Sequence, residues 1–189
     1  MSNGDYLTSL RSWWERSDAE DRQAGRTWYP LARGECYDIA KRYGFSLKRA
    51  CYAAAALSNN MEWSHNVALL EHVAYSVRDG MQPRGHYARC LHKATRILRH
   101  GEWGALRGPK VVPFARALYG DTTAAVVDRW VARAAGLVVG RLTDRRSADI
   151  AVALRVLARE VRQSVAVTQA IIWVAVRRAA DPTQTPIPF

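Results

Sequence analysis

Residues 106–130 read LRGPKVVPFARALYGDTTAAVVDRW. Gly108-Pro109 is a turn signal, because glycine takes backbone conformations closed to other residues and proline fixes its own. Lys110 then stands at the start of an apolar, helix-spaced segment, Val111 to Tyr119, with Pro113 tolerated in its first turn. Gly120-Asp121-Thr122-Thr123 makes a second turn, and Val126-Val127-Asp128 leads into a short helix, Val127 to Ala135, that stops at Gly136. A glycine turn feeding a helix N-terminus exposes backbone N–H groups to a phosphate, with the helix dipole adding to the attraction. Two valines give the Asp128 carboxyl an apolar neighbourhood, and the helix N–H groups offer it hydrogen bonds. A lysine held near such an acid in a partly dry pocket is a candidate amine nucleophile. Aspartate is equally a favoured N-cap, and Lys110 equally suits a phosphate contact or a solvated position.

Outward from this stretch, helical spacing runs through most of the chain and strand alternation is scarce. Asp5 to Arg16 places Leu7, Leu10, Trp13 and Trp14 on one face, and a polar stretch, Ser17 to Arg26, follows. Leu31 to Tyr43 reads as a helix with Pro30 near its start and Gly44 at its end. Ser46 is a good N-cap for Leu47 to Leu57. Further helices are expected over Glu62 to Arg78, His86 to Arg99, Arg145 to Arg162 and Val165 to Ala179. The expectation is an all-α protein, one compact domain over 1–180, with a proline-rich tail at 181–189.

Four short motifs in order resemble the helix-hairpin-helix DNA glycosylase superfamily, the group that includes endonuclease III. Leu106, Gly108 and Lys110 match the end of that family's hairpin, and Val127, Asp128, Val131 and Arg133 fall in its following segment. Eighteen residues separate Lys110 from Asp128, as in the endonuclease III pattern. Leu57-Ser58-Asn59-Asn60 is similar to the family's Leu-Ser-x-Gln, whose amide fills the gap left by a flipped base. His92-Lys93-Ala94, followed by Ile97-Leu98, is similar to its Lys-Ala-x-x-Ile helix. The resemblance covers about residues 46–136. The hairpin is shorter than the family's, Arg129-Trp130 stands where a histidine is usual, and no four-cysteine cluster motif is present.

The resemblance implies a two-lobed helical fold and base excision on DNA. Asp128 would stabilise the sugar cation, and Lys110 would attack C1′ in a glycosylase with lyase activity. Asn60, helped by Trp63, would hold the gap, with Lys93, Arg96, Arg107, Gly108, Arg129 and Trp130 as further DNA contacts. The departures leave two alternatives on the same fold: a non-catalytic DNA-binding module, or a phage-type enzyme that modifies bases.

Charge agrees with a polyanionic partner. Lys and Arg total 28 against 17 Asp and Glu, a net +11. Between residues 84 and 116 eight Lys/Arg face one acid, Glu102. A surface this basic releases counterions from phosphates, so double-stranded DNA is the expected partner. Trp103 and Trp130 are the tryptophans best placed in sequence for a base or sugar contact, whereas Trp13, Trp14, Trp28, Tyr29 and Trp173 read as core. Three widely spaced cysteines and five histidines without ligand spacing indicate neither metal nor disulfide framework, and no cofactor is expected. The N-terminus lacks a signal-peptide pattern and no apolar run is long enough to span a bilayer, so a cytoplasmic protein is expected; a protein partner and the oligomeric state stay open.

Overall fold

The computed structural model describes residues 3–59, 61–85, 87–138, 140 and 142–181. Among them all regular structure is helical: α1 (Asn3–Arg16), α2 (Ala19–Tyr43), α3 (Leu47–Leu57), α4 (Trp63–Arg78), α5 (Ala88–His100), a 3₁₀ turn (Trp103–Ala105), α6 (Val111–Tyr119), α7 (Arg129–Ala134), α8 (Asp144–Glu160) and α9 (Val165–Ala180). The all-α expectation holds, and α3 and α6 have the predicted limits. Among the described residues no helix is long and apolar enough to cross a membrane. The chain divides into two compact units, one formed by Met1–Pro30 with Asp121–Phe189 and the other by Leu31–Gly120.

The stretch from Ser17 to Arg26 departs from the sequence reading, because most of it is the start of α2. Asp18 and Asp21 explain this. The Asp21 N–H donates to Asp18 Oδ1 (2.9 Å) and the Asp18 N–H to Asp21 Oδ2 (3.3 Å), a reciprocal capping pair that starts the helix at Ala19. Arg178 adds ionic contacts to Asp18, Glu20 and Asp21. Buried residues then recur at 21, 25, 28, 29, 32, 36, 39 and 40, one continuous helical stripe. Pro30 lies on the exposed side of that stripe, inside the helix and not at its start.

In the unit containing both termini, Tyr6 and Leu10 of α1, Val131 of α7, Ile150, Leu154 and Leu157 of α8, and Ile172 and Val176 of α9 share one core. Helix α1 packs on α8 and α9, and α7 packs on α9. Gly25 of α2 approaches α9 more closely than any side chain would permit. A Cβ built there would lie 2.5 Å from Ile171 Cγ1 and 2.6 Å from the Ile171 backbone.

In the 31–120 unit, α3 is the central element. Ala50, Cys51, Ala53, Ala54, Ala55, Ala56 and Leu57 are all buried, and α3 packs against α4, α5 and α6. Small side chains are what let three helices surround a fourth. Ser46 caps α3, its hydroxyl accepting from the Arg49 N–H. The Asn66 amide of α4 donates to Ala54 O at 3.2 Å, and the Cys51 thiol points at Leu118 O (3.6 Å). Cys36 and Cys51 are buried and Cys90 is half-buried, all three as free thiols.

Two glycines of α2 should therefore respond oppositely to alanine. Gly25→Ala overpacks α2 on α9 and should cost about 1–3 kcal/mol. Gly34→Ala meets nothing within 4 Å and should stabilise by roughly 0.5–1 kcal/mol through helix propensity. Thermal unfolding of the two variants beside the parent checks both signs.

Candidate nucleic-acid interface

Helix α5 has the sequence ARCLHKATRILRH. Leu91, Ala94, Thr95, Ile97 and Leu98 are buried, while Arg89, His92, Arg96 and His100 are exposed and Lys93 and Arg99 half-buried. Apolar residues at 91, 94, 97 and 98 dock the helix on its unit, which leaves the cations no position but the opposite side. The 31–120 unit holds fourteen Lys/Arg and six Asp/Glu, so +8 of the chain's +11 lies there. Arg96 pairs with Glu102 just beyond the helix. That partner holds the Glu102 carboxyl below the usual range, with smaller contributions from His100 and His92.

The passage after α5 adds aromatic surface. Tyr52 of α3 and Trp103 meet edge to face with centroids 5.0 Å apart. The Lys48 ammonium lies 4.5 Å from the Trp103 ring and 5.6 Å from that of Tyr52. Trp103 is half-buried, so the loop tryptophan singled out from sequence keeps part of its surface exposed.

The predicted hairpin is a turn in which Gly108 has φ 102°, a value that glycine alone adopts readily. Arg107 and Gly108 are exposed, and Lys110 occupies the N-cap position of α6. The Lys110 ammonium donates to Ser58 O at 3.2 Å. Ser58 is the C-cap of α3, where carbonyls carry the negative end of the helix dipole. Two motifs read separately from the sequence, Leu57-Ser58 and Gly108-x-Lys110, thus meet within one unit. Asn60 lies outside the described residues.

Asp128 belongs to the other unit. It is the N-cap of α7: Oδ1 accepts from the Trp130 and Val131 N–H groups, both at 2.9 Å. Oδ2 accepts from Trp173 Nε1, also at 2.9 Å. The carboxylate is half-buried and held by three donors. Around it, the guanidiniums of Arg129 and Arg133 lie 5.3 and 5.8 Å from the Trp130 ring, and that of Arg177 lies 4.5 Å from Trp173. These are cation–π distances.

Trp173 and Tyr29, read from the sequence as core, meet here together with Gln169. Tyr29 OH donates to Gln169 Oε1 at 2.8 Å, and Trp28 packs edge-on against both Tyr29 and Trp173. Burial pushes the Tyr29 phenol well above its ordinary range, and the charge of Asp128 pushes it further. Gln169 inside the apolar run of α9 was the visible signal, since a buried amide needs a partner. The spacing Trp173–Arg177 was another, being one helical turn. Among the described residues no group of His, Cys, Asp and Glu could hold a metal ion.

No curated protein and no solved structure matches the chain. Residues 1–180 match a family described as a family of unknown function, DUF7178. The match covers nearly the whole sequence, and the chain belongs to that family.

Proposed function

We propose that the protein binds DNA through the basic surface of its 31–120 unit, with α5 on the phosphate backbone and the Gly108 turn beside it. The observation that carries this reading is the side of α5 bearing Arg89, His92, Lys93, Arg96, Arg99 and His100, opposite an apolar docked side. Guanidinium and ammonium groups spread along a helix meet phosphates as charges and carry little base selectivity. In the segment that follows α5, Arg107 is exposed and Trp103 half-buried, and base stacking on an indole is tolerant of sequence. Counterion release makes such binding steeply salt-dependent.

A second reading is base excision of the glycosylase kind, with Asp128 as the group facing the sugar cation. The observation in its favour is a carboxylate oriented by three N–H donors between indoles that carry arginines. A carboxylate held in this way would stabilise positive charge at C1′. The same three bonds also suit a purely structural cap.

Three outcomes are expected. Fluorescence anisotropy with a 20-base-pair duplex should give a log–log salt slope that Arg89→Gln with Lys93→Gln makes shallower by about 2; salt-insensitive binding would refute the first reading. Asp128→Asn retains an acceptor at Oδ1 but sets an amide against Trp173 Nε1–H, and chemical unfolding should show a loss of roughly 1–3 kcal/mol. Base release from duplexes bearing normal, damaged and modified bases tests the second reading: release by the parent that Asp128→Asn abolishes supports it. Equal base release by parent and Asp128→Asn on every substrate excludes it.

A further inference from the structure

We propose that a cavity beside α5 receives a nucleoside 5′-phosphate, whether the end of a DNA strand or a free mononucleotide. Its preference for a nucleoside rests on the DNA-binding reading above; its demand for a phosphate monoester rests on the cavity alone. The space measures about 470 Å³, more than a phosphate needs and within the range of small-ligand sites.

A helix surface is convex and makes no cavity by itself. Here the segment after α4 forms a second wall. Its Met81 N–H donates to Ser76 O at 2.8 Å, Arg99 Nη2 reaches Met81 O at 3.4 Å, and Pro83 is buried. That segment is thereby tied both to α4 and to α5. The floor is apolar where Pro83 and Leu91 line it, a surface suited to the flat face of a base or to ribose carbons.

Ala88 adds a methyl group, and the remaining lining residues are polar or cationic. His92, Arg96, Arg99 and His100 all face the cavity, one and two helical turns apart on α5. Arg96 shares its charge with Glu102. Among the described residues Arg99 pairs with no carboxylate, its hydrogen bond being the one to Met81 O. Guanidinium matches phosphate oxygens in a planar, two-point fashion. A monoester carries close to two charges where a backbone diester carries one, so a cluster of two guanidiniums and two imidazoles selects a terminal phosphate over an internal one. Anions without this shape, chloride included, gain only the diffuse field.

The experiment is isothermal titration of the full chain at constant ionic strength. The probes are deoxyadenosine 5′-monophosphate, deoxyadenosine, and a 12-nucleotide single strand with either a 5′-phosphate or a 5′-hydroxyl. The phosphorylated member of at least one pair should bind about tenfold more tightly than its partner. Arg99→Gln and, separately, His100→Gln, each confirmed as folded by circular dichroism, should erase that difference. Binding of the parent to a circular duplex, which has no ends, is measured alongside. A preference in the strand pair alone assigns the site to DNA ends, and a preference in the mononucleotide pair alone assigns it to free nucleotide; either supports the proposal. No preference in either pair, or a preference that both variants retain, overturns it. Circular-duplex binding that persists in that case leaves the DNA-binding reading standing, and its absence removes that reading as well.

Discussion

The smallness of the α3 side chains underlies the arrangement of the whole 31–120 unit. Four consecutive alanines, Ala53 to Ala56, are buried, and a helix without long side chains can be approached on several sides at once. Helices α4, α5 and α6 use that access. Each must turn its apolar residues inward, and for α5 this leaves six cationic or histidine side chains with nowhere to go but outward. The basic surface is therefore a consequence of packing as well as of composition. Close approach sets the other unit too, through Gly25, where α2 comes within contact of the α9 backbone.

Charge is distributed unevenly, and the unevenness has physical content. The 31–120 unit has +8 and the remainder +3. The remainder carries fourteen Lys/Arg against eleven Asp/Glu. Arg178 meets Asp18, Glu20 and Asp21, and Arg11 meets both Glu160 oxygens at 2.9 Å. On α5 the neutralisation is sparse, with Glu102 paired to Arg96. Exposed ion pairs of this kind contribute little stability, so their main effect is on the field that a polyanion meets.

Asp128 illustrates how one carboxylate can satisfy structure and remain chemically interesting. Two of its bonds start α7 and the third reaches Trp173, so its orientation is set from two helices at once. The tyrosine nearby is held protonated by burial and by that charge. Removing the carboxylate would leave an indole N–H without its acceptor in a half-dry place, which is costly whatever the group does for function. The lysine read with it from the sequence has its own local explanation, at the carbonyl end of α3.

Helix class, most helix limits, the net charge and the turn at Gly108 were legible in the sequence, because they follow from periodicity, capping residues and glycine conformation. Ser46 before Leu47 and Gly108 before Lys110 are local signals, written within a few residues of what they control. The early start of α2 was misread because Pro30 looks like a boundary, whereas the Asp18–Asp21 capping pair and the buried stripe carry the helix through it. Tertiary structure alone decided that Lys110 meets Ser58 across fifty-two residues, that Trp173 meets Asp128 across forty-five, and that the segment around Met81 and Pro83 walls a cavity over the basic side of α5. Such pairings depend on which buried faces find each other. Hydrophobic burial is non-directional, so periodicity says which residues go inside and leaves their partners to the packing of the whole.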